Sequence, residues 1–274
     1  MTAENRSIST NRRKAGWPSP LVDERILMSP DSYAPYVPLN TLKPVAESIW
    51  IADGPEISMR YLGMTMPFPT RMTVVRLASG EIWIHSPIEW SDDLASAVMA
   101  LGPVSYLVAP NTLHYWHLPS WQSHFPAARS YGPPGLVAKA RRPLMIDESL
   151  SETVPDAWKE TFHQWLIAGS VLTEVDFFHR PSRTLILTDL IENFETCRVH
   201  KPWLRWAIRL GGAADPDGKA PFDMQVNFLG RRALVRAAIE HMIVLMPKRI
   251  IIAHGRCYDH NAIAELRRAF RWVL

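Results

Sequence analysis

Imidazole and carboxylate side chains stand just past three apolar runs of this 274-residue chain, and chemistry is read first from them. Tyr106-Leu107-Val108-Ala109 leads through Pro110-Asn111 to His114 and His117. Thr184-Leu185-Ile186-Leu187-Thr188 leads to Asp189, and Arg249-Ile250-Ile251-Ile252-Ala253 leads to His254-Gly255. Strand exits are where α/β proteins gather their sites, because the strands fix the ends of loops that are free to carry polar groups. Imidazole nitrogen and carboxylate oxygen are donors that zinc and iron accept, so convergence of these side chains implies metal-ion chemistry. Kept apart, the same residues reduce to histidines bonded to nearby backbone and an aspartate that caps a helix.

Alternating strands and helices are expected to position them. A short strand at residues 48–52, closed by Asp53-Gly54-Pro55, opens the fold, and residues 72–77 and 82–85 form an antiparallel hairpin around Ser79-Gly80. Ser91 caps a helix running through Leu94, Val98 and Leu101, Gly102-Pro103 ends it, and residues 104–109 form a buried strand. The second half predicts a helix over 156–167, strands at 174–178 and 184–188, a helix near 203–210 and a flexible loop at 211–218. A long helix over about 229–246, a strand at 249–253 and a terminal helix from near Asp259 follow. Hairpins mixed with crossover helices point to an α/β (α+β) domain of two sheets between helical layers. Residues 46–274 are read as that domain, and proline-rich residues 1–45 as an extended or partly disordered arm.

Composition sets the bounds. Hydrophobic residues at 47% and charged residues at 21% are the balance of a globular chain with a real core. Lys plus Arg exceed Asp plus Glu by only 30 to 27, too little to single out nucleic acid as a partner. Cys197 and Cys257 are too few for a disulfide scaffold or a cysteine-based zinc site, and the polar start lacks a secretory apolar core. A cytoplasmic location and no membrane-spanning helix are the expectations.

The three strand-exit segments, in this order and at these intervals, resemble the metal-binding landmarks of the metallo-β-lactamase superfamily. That family has a strand followed by H-x-H-x-D-H, a later strand ending in a metal-bridging Asp, and a last strand ending in a His often followed by Gly. Asp189 and His254 match the last two landmarks; His114 and His117 fall on two histidines of the first, while Thr112 and Trp116 stand where a His and the Asp would be. No His stands near Ala168-Gly169-Ser170, where a further ligand is expected, and the nearby His163, Glu174 and His179 lack its context. Ile84-His85-Ser86-Pro87 replaces the D-x-G that usually ends the opening hairpin. The phrases His85-Ser86-Pro87, Val108-Ala109-Pro110-Asn111 and His179-Arg180-Pro181-Ser182-Arg183 further resemble an uncharacterised, DUF4336-like branch of that superfamily.

The resemblance implies a four-layer αββα sandwich and an eroded site, mononuclear rather than dinuclear, in which His114, His117, Asp189 and His254 hold one zinc or iron. A metal-bound hydroxide would then attack an ester, amide, thioester or phosphodiester of a small-molecule substrate, with Asn111 or His85 contacting that substrate. Two other readings stay open. In one, the protein is a catalytically inactive, metal-free binding module or scaffold. In the other, the aromatic and basic residues of 201–210 make a peripheral membrane contact or cover the mouth of the site; the plainer version of that segment packs its Trp rings inward and turns Arg205 and Arg209 to water.

Overall fold

The computed structural model describes residues 33–61 and 64–274. Two sheets lie face to face. The larger one orders its strands β1 (Lys43–Ala46), β2 (Ile49–Tyr61), β3 (Met64–Arg76), β4 (Ile82–His85), β5 (Val104–Val108), β6 (Arg129–Gly132) and β7 (Glu148–Ser149) in sequence. Pairing is antiparallel through β4 and parallel beyond it. The smaller sheet runs β11 (Arg249–Ile251), β10 (Thr184–Ile186), β9 (Thr173–His179) and β8 (Phe162–Ala168), with only the β10–β11 pair parallel.

Side-chain alternation along the strands sorts the core into layers. On β3 and β4, Met72, Val74, Ile82 and Ile84 face outward onto α1 (Asp92–Met99), α2 (Leu118–His124) and α3 (Leu136–Lys139). Val75 and Trp83 face inward and meet Phe162, Phe177, Ile186 and Ile251 of the other sheet. Leu185, Ile250 and Ile252 point the opposite way, onto α6 (Arg232–Val244) and α7 (Ala262–Ala269). The result is the expected αββα sandwich. Fully buried aromatics such as Trp83, Phe162 and Phe177 are each worth about 2–3 kcal/mol of transfer free energy.

Several local expectations hold: Ser91 caps α1 by accepting the N–H of Leu94, and the 72–77/82–85 hairpin is present. Others need correction. Residues 156–160 make turns and 162–168 a strand, where a helix over 156–167 was expected. Phe162 and Leu166 face the other sheet while Trp165 and Ile167 face the helices, so both sides of β8 are apolar and the period of two is masked. The opening strand does not stop at Asp53-Gly54-Pro55 but continues through a register shift between Gly54 and Ile57 to residue 61. Gly54 permits this, since a Cβ there would stand 2.5 Å from the Thr70 hydroxyl. Of the segment read as an arm, residues 1–32 lie outside the described residues; Tyr33 is buried against Phe194 and Val199, and β1 begins at Lys43. Among the described residues no helix is long and apolar enough to cross a membrane.

Candidate metal centre

His114, Asp189 and His254 converge from three loops, with one ligand atom of each lying within 4.8 Å of the other two. Nε2 of His114 is 3.1 Å from Nε2 of His254, and Oδ1 of Asp189 is 3.3 Å from the first and 3.2 Å from the second. Every other polar atom of these three groups has its own partner. Nδ1 of His254 is 2.8 Å from the carbonyl oxygen of Pro69, which can only accept, so Nδ1 donates to it and Nε2 is the ring nitrogen turned toward the centre. Nδ1 of His114 meets the Ser86 hydroxyl at 2.7 Å, and Oδ2 of Asp189 accepts from the Asn111 amide at 2.8 Å. Nε2 of His254 thus faces both a carboxylate oxygen and a second imidazole nitrogen, three converging atoms that protons or a cation among them would satisfy.

Local structure fixes each member. Asp189 sits just beyond β10 in a loop whose amides at Thr188, Asp189 and Leu190 all donate to the buried carboxylate of Glu174 on β9. Asn111 ties that loop to the first one: its carbonyl accepts the N–H groups of Leu113 and His114 while its amide reaches Glu174 and Asp189. Arg71, on β3, forms an ion pair with Asp53 and donates to the carbonyls of Ile252 and Gly255, which bracket His254 on the chain. Gly255 has φ +99°, and a Cβ there would come 2.1 Å from the carbonyl oxygen of Asn193, so this backbone approach requires glycine.

The electrostatics agree with a tightly held charge pair. Burial works against ionisation of both partners. Even so, the Asp189 carboxylate, with Glu174 behind it, raises the pKa of His114, and His114 and His254 hold Asp189 below the usual carboxylate range. Glu174 is pushed upward by burial and by Asp189.

The remaining candidates fall elsewhere. His117 lines the same cavity but stands outside the converging group; its buried Nε2 has no hydrogen-bond partner among the described residues, and burial together with Arg142 lowers its pKa to about 4. His85 is 2% exposed, stacked on Trp83 between the sheets, and lowered to about 3 by burial, so it touches no substrate space. Asn111, the other expected substrate contact, is fully buried and holds the loops together. Ser86, beside His85, is the hairpin residue that reaches the centre. Asp53, Arg71 and Ser86 escaped sequence reasoning; a buried Arg beside the apolar run from Met72 and a lone Asp in a strand were the signals available.

A cavity of about 340 Å³ opens onto the three residues. Ile57 and Met59 of β2 and Met66 and Phe68 of β3 form one wall, and Ala207 and Ile208 of α4 (Pro202–Gly211) form another. Helix α4 therefore lines the cavity. Its Leu204 and Ile208 pack inward while Trp203 and Trp206 are exposed, the reverse of the inward Trp rings expected of a simply packed helix. Glu192 and Asp223 also line the cavity, and burial together with Asp189, Asp223 and Glu174 holds Glu192 well above the usual carboxylate range.

Comparison with known proteins agrees with this picture at the level of fold. A metallo-β-lactamase from Pontibacter korlensis superposes with a TM-score of 0.56 at 10% identity, covering 85% of this chain and 98% of that one. The DIM-1 metallo-β-lactamase exposed to ceftazidime gives 0.56 at 16% identity over 87% and 98%. The mono-zinc form of FIM-1 from Pseudomonas aeruginosa gives 0.54 at 10% identity over 85% and 95%. No curated protein matches the sequence. A family model described as "Domain of unknown function (DUF4336)" matches residues 48–200, more than half of the chain, and the protein belongs to that family, built on a metallo-β-lactamase-like fold.

Proposed function

We propose that this chain is a metal-dependent hydrolase-like protein with a single divalent ion, zinc or iron, held by Nε2 of His114, Nε2 of His254 and Oδ1 of Asp189. One observation carries the reading: Nε2 of His114, Nε2 of His254 and Oδ1 of Asp189 converge within 3.1–3.3 Å of one another, with the opposite ring nitrogen of His254 held by a backbone carbonyl. The spacings support it. Zinc–nitrogen bonds of about 2.0–2.1 Å put neighbouring corners of a tetrahedron about 3.3–3.4 Å apart, and the three ligand atoms here are 3.1, 3.2 and 3.3 Å apart. Partners on the far side of each ligand are the arrangement that orients imidazole and carboxylate toward an ion.

When bound, such an ion supplies Lewis acidity, polarising a carbonyl or phosphoryl group and lowering the pKa of water. The chain does the rest. Pro69 and Ser86 set the two rings, Asn111 and Glu174 hold the Asp189 loop, and α4 with the β2–β3 hairpin limits water at the reacting group. Glu192, kept toward its protonated form on the cavity wall, is suited to hand a proton to a leaving group. Hydrolysis of an ester, amide, thioester or phosphodiester of a small molecule is the class of reaction. A cytoplasmic setting belongs to the same proposal, with Cys197 and Cys257 both free thiols.

A second reading has its own support. Protons shared among Nε2 of His114, Nε2 of His254 and Oδ1 of Asp189 would satisfy the same three atoms without an ion, as the raised His114 and lowered Asp189 allow, and would leave a binding module on a hydrolase fold. Elemental analysis decides. The first reading expects about one zinc or iron per chain, lost in the His114→Ala/His254→Ala variant; protein that stays metal-free after supplementation with both metals establishes the second.

A further inference from the structure

The walls of the cavity say more about its occupant than the ligand residues do. Six of them, Ile57, Met59, Met66, Phe68, Ile208 and Met224, are aliphatic, thioether or aromatic and come from three separate parts of the chain. Ionisable residues are distributed just as unevenly. The carboxyl groups of Asp189, Glu192 and Asp223 line the space with the imidazoles of His114, His117 and His254, whereas among the described residues no lysine or arginine does. Enzymes that hold phosphate or carboxylate groups do so with Arg, Lys or clustered backbone amides, because an anion leaving water needs a partner of opposite charge. A divalent ion on His114, Asp189 and His254 would add positive charge at that end alone; the length between hairpin and α4 is walled by Ile57, Met59, Met66, Phe68 and Ile208, which give an anion no counter-charge. A cavity of about 340 Å³ is within the range that buries most of a small ligand.

We propose that this cavity takes an uncharged acyl compound whose aliphatic chain lies between the β2–β3 hairpin and α4, with its acyl carbon at His114, Asp189 and His254. The inference deepens the hydrolase reading, since that reading places the acyl carbon, but the binding of the chain stands on the walls alone. It removes phosphodiesters from the candidate substrates and selects neutral esters, amides and thioesters.

Displacement of the apolar fluorophore N-phenyl-1-naphthylamine from the full-length protein, with and without added zinc, provides the test. Competitors are methyl esters from butanoate to dodecanoate, the matching free carboxylates, and bis(p-nitrophenyl) phosphate. Each added methylene should tighten an ester by about three- to fourfold until the cavity is full. Without zinc, carboxylates of equal length should bind about tenfold more weakly or worse, for lack of a counter-charge. Ala207→Trp, which fills one wall, should abolish displacement by the long esters and spare the short ones, and Phe222→Ala, at an exposed rim position 71% accessible, should weaken only the long ones. Should Ala207→Trp fail to fold, the wild-type series still decides. Equal binding of phosphodiester or carboxylate in the absence of zinc, or no dependence on chain length, overturns the inference. Zinc binding without chain-length dependence would leave the hydrolase reading standing, and chain-length dependence in a protein that takes no metal would leave this one.

Discussion

Nδ1 of His254 donates to the carbonyl of Pro69 across 2.8 Å, so a residue near the end of the chain has its tautomer set by a strand 185 positions earlier. Replacing the ring tests this directly. His254→Gln keeps a donor for Pro69 but offers no imidazole nitrogen, and should lower zinc affinity about 10- to 100-fold or more while the fold persists. Competition with a chromophoric chelator measures it.

Acidity should separate the loaded protein from the metal-free one. His114 has a raised pKa, so in the absence of metal its pairing with Asp189 stabilises the fold fully below the ordinary histidine value of about 6.5 and is lost as pH rises through the raised value. Asp189 has a lowered pKa, so its contribution is present above the ordinary carboxylate value and disappears only as pH falls through the lowered one. Zinc must displace the His114 proton, which makes its binding stronger at higher pH. The zinc-induced rise in Tm should therefore be larger at pH 8 than at pH 6, as thermal unfolding with and without zinc will show.

Asn111 is the joint between two loops, and its amide and carbonyl together serve four groups in the buried interior. Asn111→Ala strands those groups and should cost about 2–4 kcal/mol, at the upper end for a buried polar deletion. Asn111→Asp should be at least as damaging, since it sets a third carboxylate against Glu174 and Asp189. Urea unfolding followed by circular dichroism gives both numbers.

Arg71→Met leaves Asp53 buried with Lys43 as its remaining cation, and loses the clamp on the carbonyls of Ile252 and Gly255. A loss of about 3–5 kcal/mol is expected. The double variant Arg71→Met/Asp53→Asn should recover part of it, whereas Arg71→Lys should not, for want of a fork that reaches carboxylate and carbonyls together. A double-mutant cycle in urea supplies the coupling energy.

Gly255→Ala should destabilise by more than about 2 kcal/mol, through a strained backbone and a collision with the Asn193 carbonyl. Gly211→Ala, where a Cβ would meet nothing within 4 Å, is the control that should leave Tm nearly unchanged.

What the chain disclosed before its structure was the placement of groups at strand ends. Val104–Val108, Thr184–Ile186 and Arg249–Ile251 are β-rich and short, and a polar residue following such a run has little choice but to sit at the sheet's edge. His114, Asp189 and His254 were legible for that reason. His117 was not, because direction within a turn depends on what packs there; it stands at the start of α2, near an Arg142 that lies over the Trp116 ring. The supporting roles of Asn111, Glu174 and Arg71 were hidden as well. Asn111 acts on side chains 63 and 78 positions away, Arg71 on carbonyls 181 and 184 positions away, and Glu174 on a loop whose path the sequence does not encode. Strand β8 was misread as helix because both of its faces are covered, which removes the alternation that marks a strand.

Within a few residues of β3, Phe68 forms cavity wall, Pro69 sets the His254 ring and Arg71 braces its loop. Cavity wall and centre are therefore cut from one ribbon, and a change made there to admit a different guest would disturb the convergence of His114, Asp189 and His254. Freedom to alter preference lies across the opening, in α4 and at Phe222, where side chains shape the space without holding the centre. Relatives or engineered variants that differ in what they accept should differ there first.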